Sequence, residues 1–280
     1  RGHLVFAGPF RTQTNEEIAT VSDRFEAGLA ASDSGTGAAV ESPSLFAAGR
    51  AGPTAYELKY LLTEPQAREV QARVAKHLAL DPFADPALGN AYLTTSVYTD
   101  TPTFDVLRRT KLLGARKYRV RRYGHAGPVF AERKTKRGDE VRKRRSPVPD
   151  GHLAPLAEPE PCEGWPGEWF RRQVTARQLR PVCRVSYERV AFMGPSEAGA
   201  VRVTLDRHVR GTVADGWDPT PVEGGELLPG QVICEFKFRV AMPTMFKVIV
   251  ADLGLAPATV SKYRTFMGTV RPEGRGGVDA

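Results

Sequence analysis

From residue 54 onward the chain alternates apolar and polar residues in short runs separated by Gly and Pro, with a few stretches of helical spacing between them. The runs "AYELKYLL", "YLTTSVYTD", "KYRVRRY", "VFAERKTK", "DEVRKRR", "VCRVSYERVAF", "VRVTLDRHV" and "QVICEFKFRV" predict strands. "TEPQAREVQARVAKHLAL" predicts an amphipathic helix: Thr63 is placed to cap it, Pro65 falls in its first turn, and Val70, Val74 and Leu78 share one face. Further helices are expected in "TFDVLRRTKLLG", "WPGEWFRRQVTARQL", "MPTMFKVIVADLGL" and "ATVSKYRTFMG". Residues 1–53 are rich in Ala, Gly, Ser and Thr and carry little periodic apolar content, so a mostly disordered leader is expected there. One domain over 54–268 and a flexible tail over 269–280 complete the expected organisation.

Because side chains alternate across a strand, each strand sorts into two faces. Glu57 and Lys59 oppose Tyr56, Leu58 and Tyr60; Lys117, Arg119 and Arg121 oppose Tyr118 and Val120. Glu132, Lys134 and Lys136 share a side. Arg202, Thr204 and Asp206 oppose Val201, Val203 and Leu205, and Glu235, Lys237 and Arg239 oppose Cys234, Phe236, Phe238 and Val240. An antiparallel sheet with one wet face alternates too. Here, however, strand after strand pairs an acid with a base two residues on, or carries bases alone. Closing the sheet with these faces inward, and covering the apolar faces with helices, gathers many cations and a few carboxylates in one cavity. Like charges about 6 Å apart repel by roughly 2–3 kcal/mol at an effective dielectric near 20, so such a cavity calls for a densely charged anion. Its carboxylates, Glu57, Glu132 and Glu235 among them, suggest Mg²⁺ or Mn²⁺ bridging to phosphate oxygens.

Composition narrows the alternatives. The chain has 280 residues, 41% hydrophobic and 26% charged, and no apolar run long enough to cross a bilayer, so a cytoplasmic protein without a membrane span is expected. Cys162, Cys183 and Cys234 are scattered, which argues against a disulfide framework or a zinc site. The formal charge of +8 implies a polyanionic partner. The basic run "KTKRGDEVRKRR" has few interleaved aromatics to stack bases, so nucleic acid is not the expected partner. Within that run Lys136 and Lys143 are assigned to the interior, and Arg133, Arg137, Arg142, Arg144 and Arg145 to the outer face or rim.

"YELKY", "SVYTD", "RVRRY", "VFAERKTK", "YERVAF", "VRVTLD", "CEFKF" and the terminal "SKY" occur in an order that resembles the catalytic domain of the vacuolar transporter chaperone (VTC) family, within the CYTH superfamily of triphosphate tunnel metalloenzymes. The resemblance implies an α+β fold: an antiparallel β-barrel with a charged interior, flanked by helices. By position, Lys59, Arg119, Arg121, Lys134, Lys143, Arg189, Arg202 and Lys262 match the family's phosphate-binding cations and Glu235 its metal-binding carboxylate. Lys237 joins the phosphate-binding set from its place on the charged face, and Tyr187 resembles the hydroxyl beside the transferred phosphate. The implied activity is a polyphosphate polymerase moving the γ-phosphoryl group of ATP onto a growing chain, with Mn²⁺ preferred. A tripolyphosphate or nucleoside triphosphate hydrolase of the same fold, and a non-catalytic polyanion-binding module, are the alternatives. Two positions depart from the superfamily's patterns: Ala55 replaces the first acid of an ExExK strand, and Thr259 stands where the family carries an extra lysine.

Overall fold

Thr63 ends one element and starts the next. It closes the first strand, β1 (Tyr56–Thr63), and caps the first helix, α1 (Glu64–Val74). The Gln66 amide donates to Thr63 Oγ1 while the Thr63 amide donates to Gln66 Oε1, a reciprocal capping box at 3.4 and 3.0 Å. The structure is a computed structural model that describes residues 56–270, apart from 112, 114, 138–139, 150, 152, 154–155 and 157–163 and the side chains of Lys136, Arg137 and Glu140. The expected leader and nearly all of the expected tail lie outside the described residues, as does Ala55; Thr269 closes the last helix.

The remaining elements follow the predicted order. They are β2 (Ala79–Leu80), β3 (Tyr92–Asp100), α2 (Asp105–Arg108), β4 (Arg116–Tyr123), β5 (Val129–Arg137), β6 (Glu140–Val148) and α3 (Glu168–Ala176). The chain continues through β7 (Arg180–Gly194), β8 (Val201–Val213), β9 (Gln231–Phe238), α4 (Thr244–Asp252) and α5 (Lys262–Thr269). Alternation did not foretell the two-residue β2, which pairs with β7. The strand expected to run to Val240 stops at Phe238, and Val240 is exposed rather than on the apolar face.

All pairings are antiparallel, in the order β1-β9-β8-β7-β3-β4-β5-β6. The sheet curls until its ends meet through side chains: Lys134 Nζ on β5 lies 2.9 Å from Glu57 on β1. No ladder joins β1 to β6 among the described residues, so the barrel-like sheet is not sealed by backbone hydrogen bonds. Helices cover the apolar side. Tyr60, Val203 and Phe236 pack with Val70 and Val74 of α1 and with Phe246 and Ile249 of α4. Val97, Tyr118 and Val185 pack with Phe170 of α3 and Phe266 of α5. With both apolar clusters covered, the other face of the sheet is left to line the interior.

Candidate functional site

Register decides which charges meet. Lys59 opposes Glu235, Glu57 opposes Lys237, and Lys237 opposes Arg202 in turn, so β1, β9 and β8 present one charged belt. Lys59 Nζ sits 3.3 Å from both Glu57 and Glu235. Lys134 grips Glu57 at 2.9 and 3.0 Å, and Lys237 pairs with Glu235 and reaches Glu57 at 3.9 Å.

A second group surrounds Asp206. Arg189 holds it with two parallel bonds of 2.6 and 2.8 Å, and Lys262, the first residue of α5, bonds it at 2.5 Å. The Lys262 amine also lies 4.1 Å from the centre of the Tyr187 ring, and Arg189 and Arg121 approach the same ring at 5.2 and 5.9 Å. The third group is centred on Glu132, which accepts from Arg119 Nε at 2.8 Å and from Arg145 Nε at 2.9 Å. Arg121 donates to Ser96 Oγ at 2.8 Å.

The candidate residues Lys59, Lys134, Lys237, Glu57 and Glu235 thus meet in one cluster, and Tyr187, Arg189 and Lys262 in another. Arg119 and Arg121 stand on the adjoining β4. Arg202, opposite Lys237, lies 2.5 Å from Asp81 and donates to the Tyr92 hydroxyl at 3.2 Å. Lys143 opposes Lys134 across β5 and β6. Glu132 is held in its own arginine group, away from the Glu57–Glu235 pair. The expected outward placement of Arg145 is corrected: it opposes Glu132 in register and grips its carboxylate, because positions 143 and 145 must share a face.

Sequence reasoning assigned no role to Asp206, Asp81, Tyr92 or Lys117. Parity had already set Asp206 and Lys117 on the charged faces. Asp81 gave no such signal, because a loop brings it to Arg202, and Tyr92 starts β3 opposite Arg189, a pairing that the alternation within one strand does not reveal. Two buried hydroxyls, Thr94 Oγ1 and Thr204 Oγ1, find no hydrogen-bond partner in the structure, and parity puts both on the faces that carry these charges.

The family model of the VTC domain matches residues 54–270. The chain belongs to the VTC domain family. No curated protein matches this VTC domain. Among solved structures it is similar to the PH1819 protein of Pyrococcus horikoshii OT3, at 14% identity and a TM-score of 0.43 over 77% of this chain and 99% of that one. It is also similar to the Hippeastrum protein HpAC1, described as having a dominant triphosphatase activity, at 12% identity and a TM-score of 0.44 over 77% and 96% of the two chains.

Electrostatics inside this VTC domain favour an anion. Burial and the neighbouring Glu235 push Glu57 up, but Lys237, Lys134 and Lys59 outweigh both and bring it down to about 2. Burial likewise opposes ionisation of Asp206, yet Arg189 and Lys262 hold it below the usual carboxylate range. Lys117 and Lys143 are shifted against their charged form. Burial, Arg264, Lys59, Lys134 and Arg119 bring Lys117 down to about 7. Lys143 is lowered first by the charge of Lys237, then by burial and Lys134; since its side chain reaches solvent, like charge is the cause that counts.

The carboxylates can be tested against a divalent ion on the same geometry. Glu57 and Glu235 converge on one lysine amine, so both supply hard oxygen donors at one point. Among the described residues no group of three or more His, Cys, Asp or Glu gathers anywhere. A two-carboxylate site fits Mg²⁺ or Mn²⁺ when phosphate oxygens and water complete the shell. No helix among the described residues is long and apolar enough to cross a membrane.

Proposed function

We propose that this VTC domain is a metal-dependent polyphosphate polymerase. The observation that carries the reading is the convergence of Lys59, Lys134 and Lys237 on two carboxylates beside the Arg189–Asp206–Lys262 group, on one inner face. Phosphoryl transfer requires positioning and charge neutralisation, with no protein nucleophile.

In this reading Arg119, Arg121, Lys134 and Lys143 bind and align the triphosphate of ATP. Arg189, Arg202, Lys237 and Lys262 hold the end of the accepting chain, and Tyr187 orients the transferred phosphoryl group through its hydroxyl. A terminal phosphate oxygen of the chain forms a bond to Pγ while the bond from Pγ to the β–γ bridging oxygen breaks, and ADP leaves with the electron pair. Bound at Glu57 and Glu235, a Mn²⁺ or Mg²⁺ ion supplies positive charge to the phosphate oxygens. Lys59, between those carboxylates, keeps them oriented and ionised.

Incubation with ATP and Mn²⁺ tests the proposal. The expected product is a ladder on a polyphosphate-stained gel that a polyphosphate-specific hydrolase removes. Release of orthophosphate without a ladder selects a hydrolase of the same fold. Salt-sensitive binding of any polyanion without turnover selects a binding module.

A further inference from the structure

The outer side of the β5–β6 wall carries a feature that the interior does not use. Arg133 and Arg144 stand directly opposite each other on β5 and β6, a cross-strand pairing of like charges that costs energy. Their guanidinium groups lie 5.6 and 4.6 Å from the centre of the Trp169 ring on α3, and neither has an acidic partner among the described residues. Trp169 is fixed in turn, its indole N–H donating to Ser146 Oγ at 2.8 Å. These residues line a half-open cavity of about 420 Å³ with Pro166, Glu168, Arg172 and Gln173. The Glu168 carboxylate is turned to Arg171 and Arg172, at 2.5 and 3.4 Å, which limits its repulsion of an incoming anion.

Both guanidinium groups already rest on the indole, so a ligand meets N–H edges rather than a bare aromatic ring. Such edges match tetrahedral phosphate oxygens and offer nothing to stack a base. Position relates this cavity to the interior. β6 ends the sheet order, and its successive residues Arg142, Lys143, Arg144 and Arg145 are all exposed, alternating between the two sides of the wall. A phosphate chain leaving the interior over this edge stays in contact with cations until it reaches the outer face.

We propose that Arg133, Arg144, Arg172 and Trp169 form a second, external binding site for an inorganic polyphosphate chain, reached from the interior across strand β6. The choice of ligand rests on the polymerase reading; the site itself rests on the arginine–tryptophan geometry.

The test uses the full chain and two probes, tripolyphosphate and polyphosphate of tens of units. Trp169 fluorescence, isolated by difference from Trp169→Phe, should respond to the long chain. In the Arg133→Gln/Arg144→Gln double variant that response should need at least about tenfold more polyphosphate, since charge-assisted bonds to both arginines are lost. Thermal protection by tripolyphosphate, which reads the interior, should be the same in both proteins and also shows that the double variant is folded. A long-chain response of equal midpoint in the double variant, or none from Trp169 at all, overturns the proposal. So does an equal response to an oligonucleotide of matched charge. Because fluorescence needs no turnover, failure to make polymer from ATP refutes the polymerase reading and leaves the external site scored on its own.

Discussion

Replacing Asp206 by Asn separates the cost of the interior's cations from their use. Asp206 is 2% exposed and is the acidic partner of both Arg189 and Lys262. Asparagine keeps the shape and removes the charge, leaving two inward cations facing each other beside Tyr187. Breaking a buried ion pair by removing one partner costs about 3–5 kcal/mol. For a domain of this size that corresponds to a fall in Tm of roughly 6–20 °C.

The sign with pH follows from Asp206 itself. Its carboxyl is depressed in the folded protein, so its contribution is present above the unfolded value near ~3.9 and is lost as pH falls through the folded one. The gap between wild type and variant should therefore close in strong acid. Thermal melts with and without tripolyphosphate supply the assay. A ligand at 100 times its Kd stabilises wild type by about 2.7 kcal/mol. At the same concentration the variant should gain more, because Arg189 and Lys262 no longer have a carboxylate to give up. A variant that melts with wild type, or one that is destabilised yet gains less from tripolyphosphate than wild type does, refutes the reasoning.

Three further outcomes follow from the same geometry. Lys117, at about 7, is drawn to its charged form by an anion, so tripolyphosphate affinity measured by calorimetry should weaken as pH rises above 7, by at most about tenfold per unit for this one proton; Lys117→Met should make the slope shallower. Glu235→Gln should raise the Mn²⁺ concentration needed for half-maximal ATP turnover, whereas Glu132→Gln, in its separate arginine group, should leave that concentration unchanged; equal effects would contradict the assignment of the two clusters. Thr63→Ala should cost about 1 kcal/mol in urea unfolding with no change in turnover, because its hydroxyl caps α1 and touches no tunnel charge.

Much of this was legible in the chain. Period-two alternation located eight strands because one face of each packs under helices, and Thr63 as a cap residue, with Pro65 in the first turn, marked the first of those helices. Parity also set Glu57, Lys59, Lys134, Glu235 and Lys237 on the charged faces, and the curl of the sheet then brought them together. What parity cannot give is the partner. It could not say that Asp206 would be taken by Arg189 and Lys262, since the first contact depends on the β7–β8 register and the second on where α5 begins. Nor could it bring Asp81 to Arg202 or Trp169 to Arg133 and Arg144, contacts made by a loop and a helix far away in sequence. Arg145 was a different failure: the alternation that sent Lys143 inward also sent Arg145 inward, but the density of the basic run masked it.

On the proposed function, cations on the inner face align ATP with the end of a phosphate chain for phosphoryl transfer. Phosphorus NMR of a reaction containing ATP and Mg²⁺ tests it most directly, because mid-chain phosphates and ADP are counted in one spectrum. The expected spectrum shows a growing mid-chain signal matched one for one by ADP, absent in Lys134→Met. A spectrum in which ATP is consumed and only orthophosphate accompanies the ADP contradicts it.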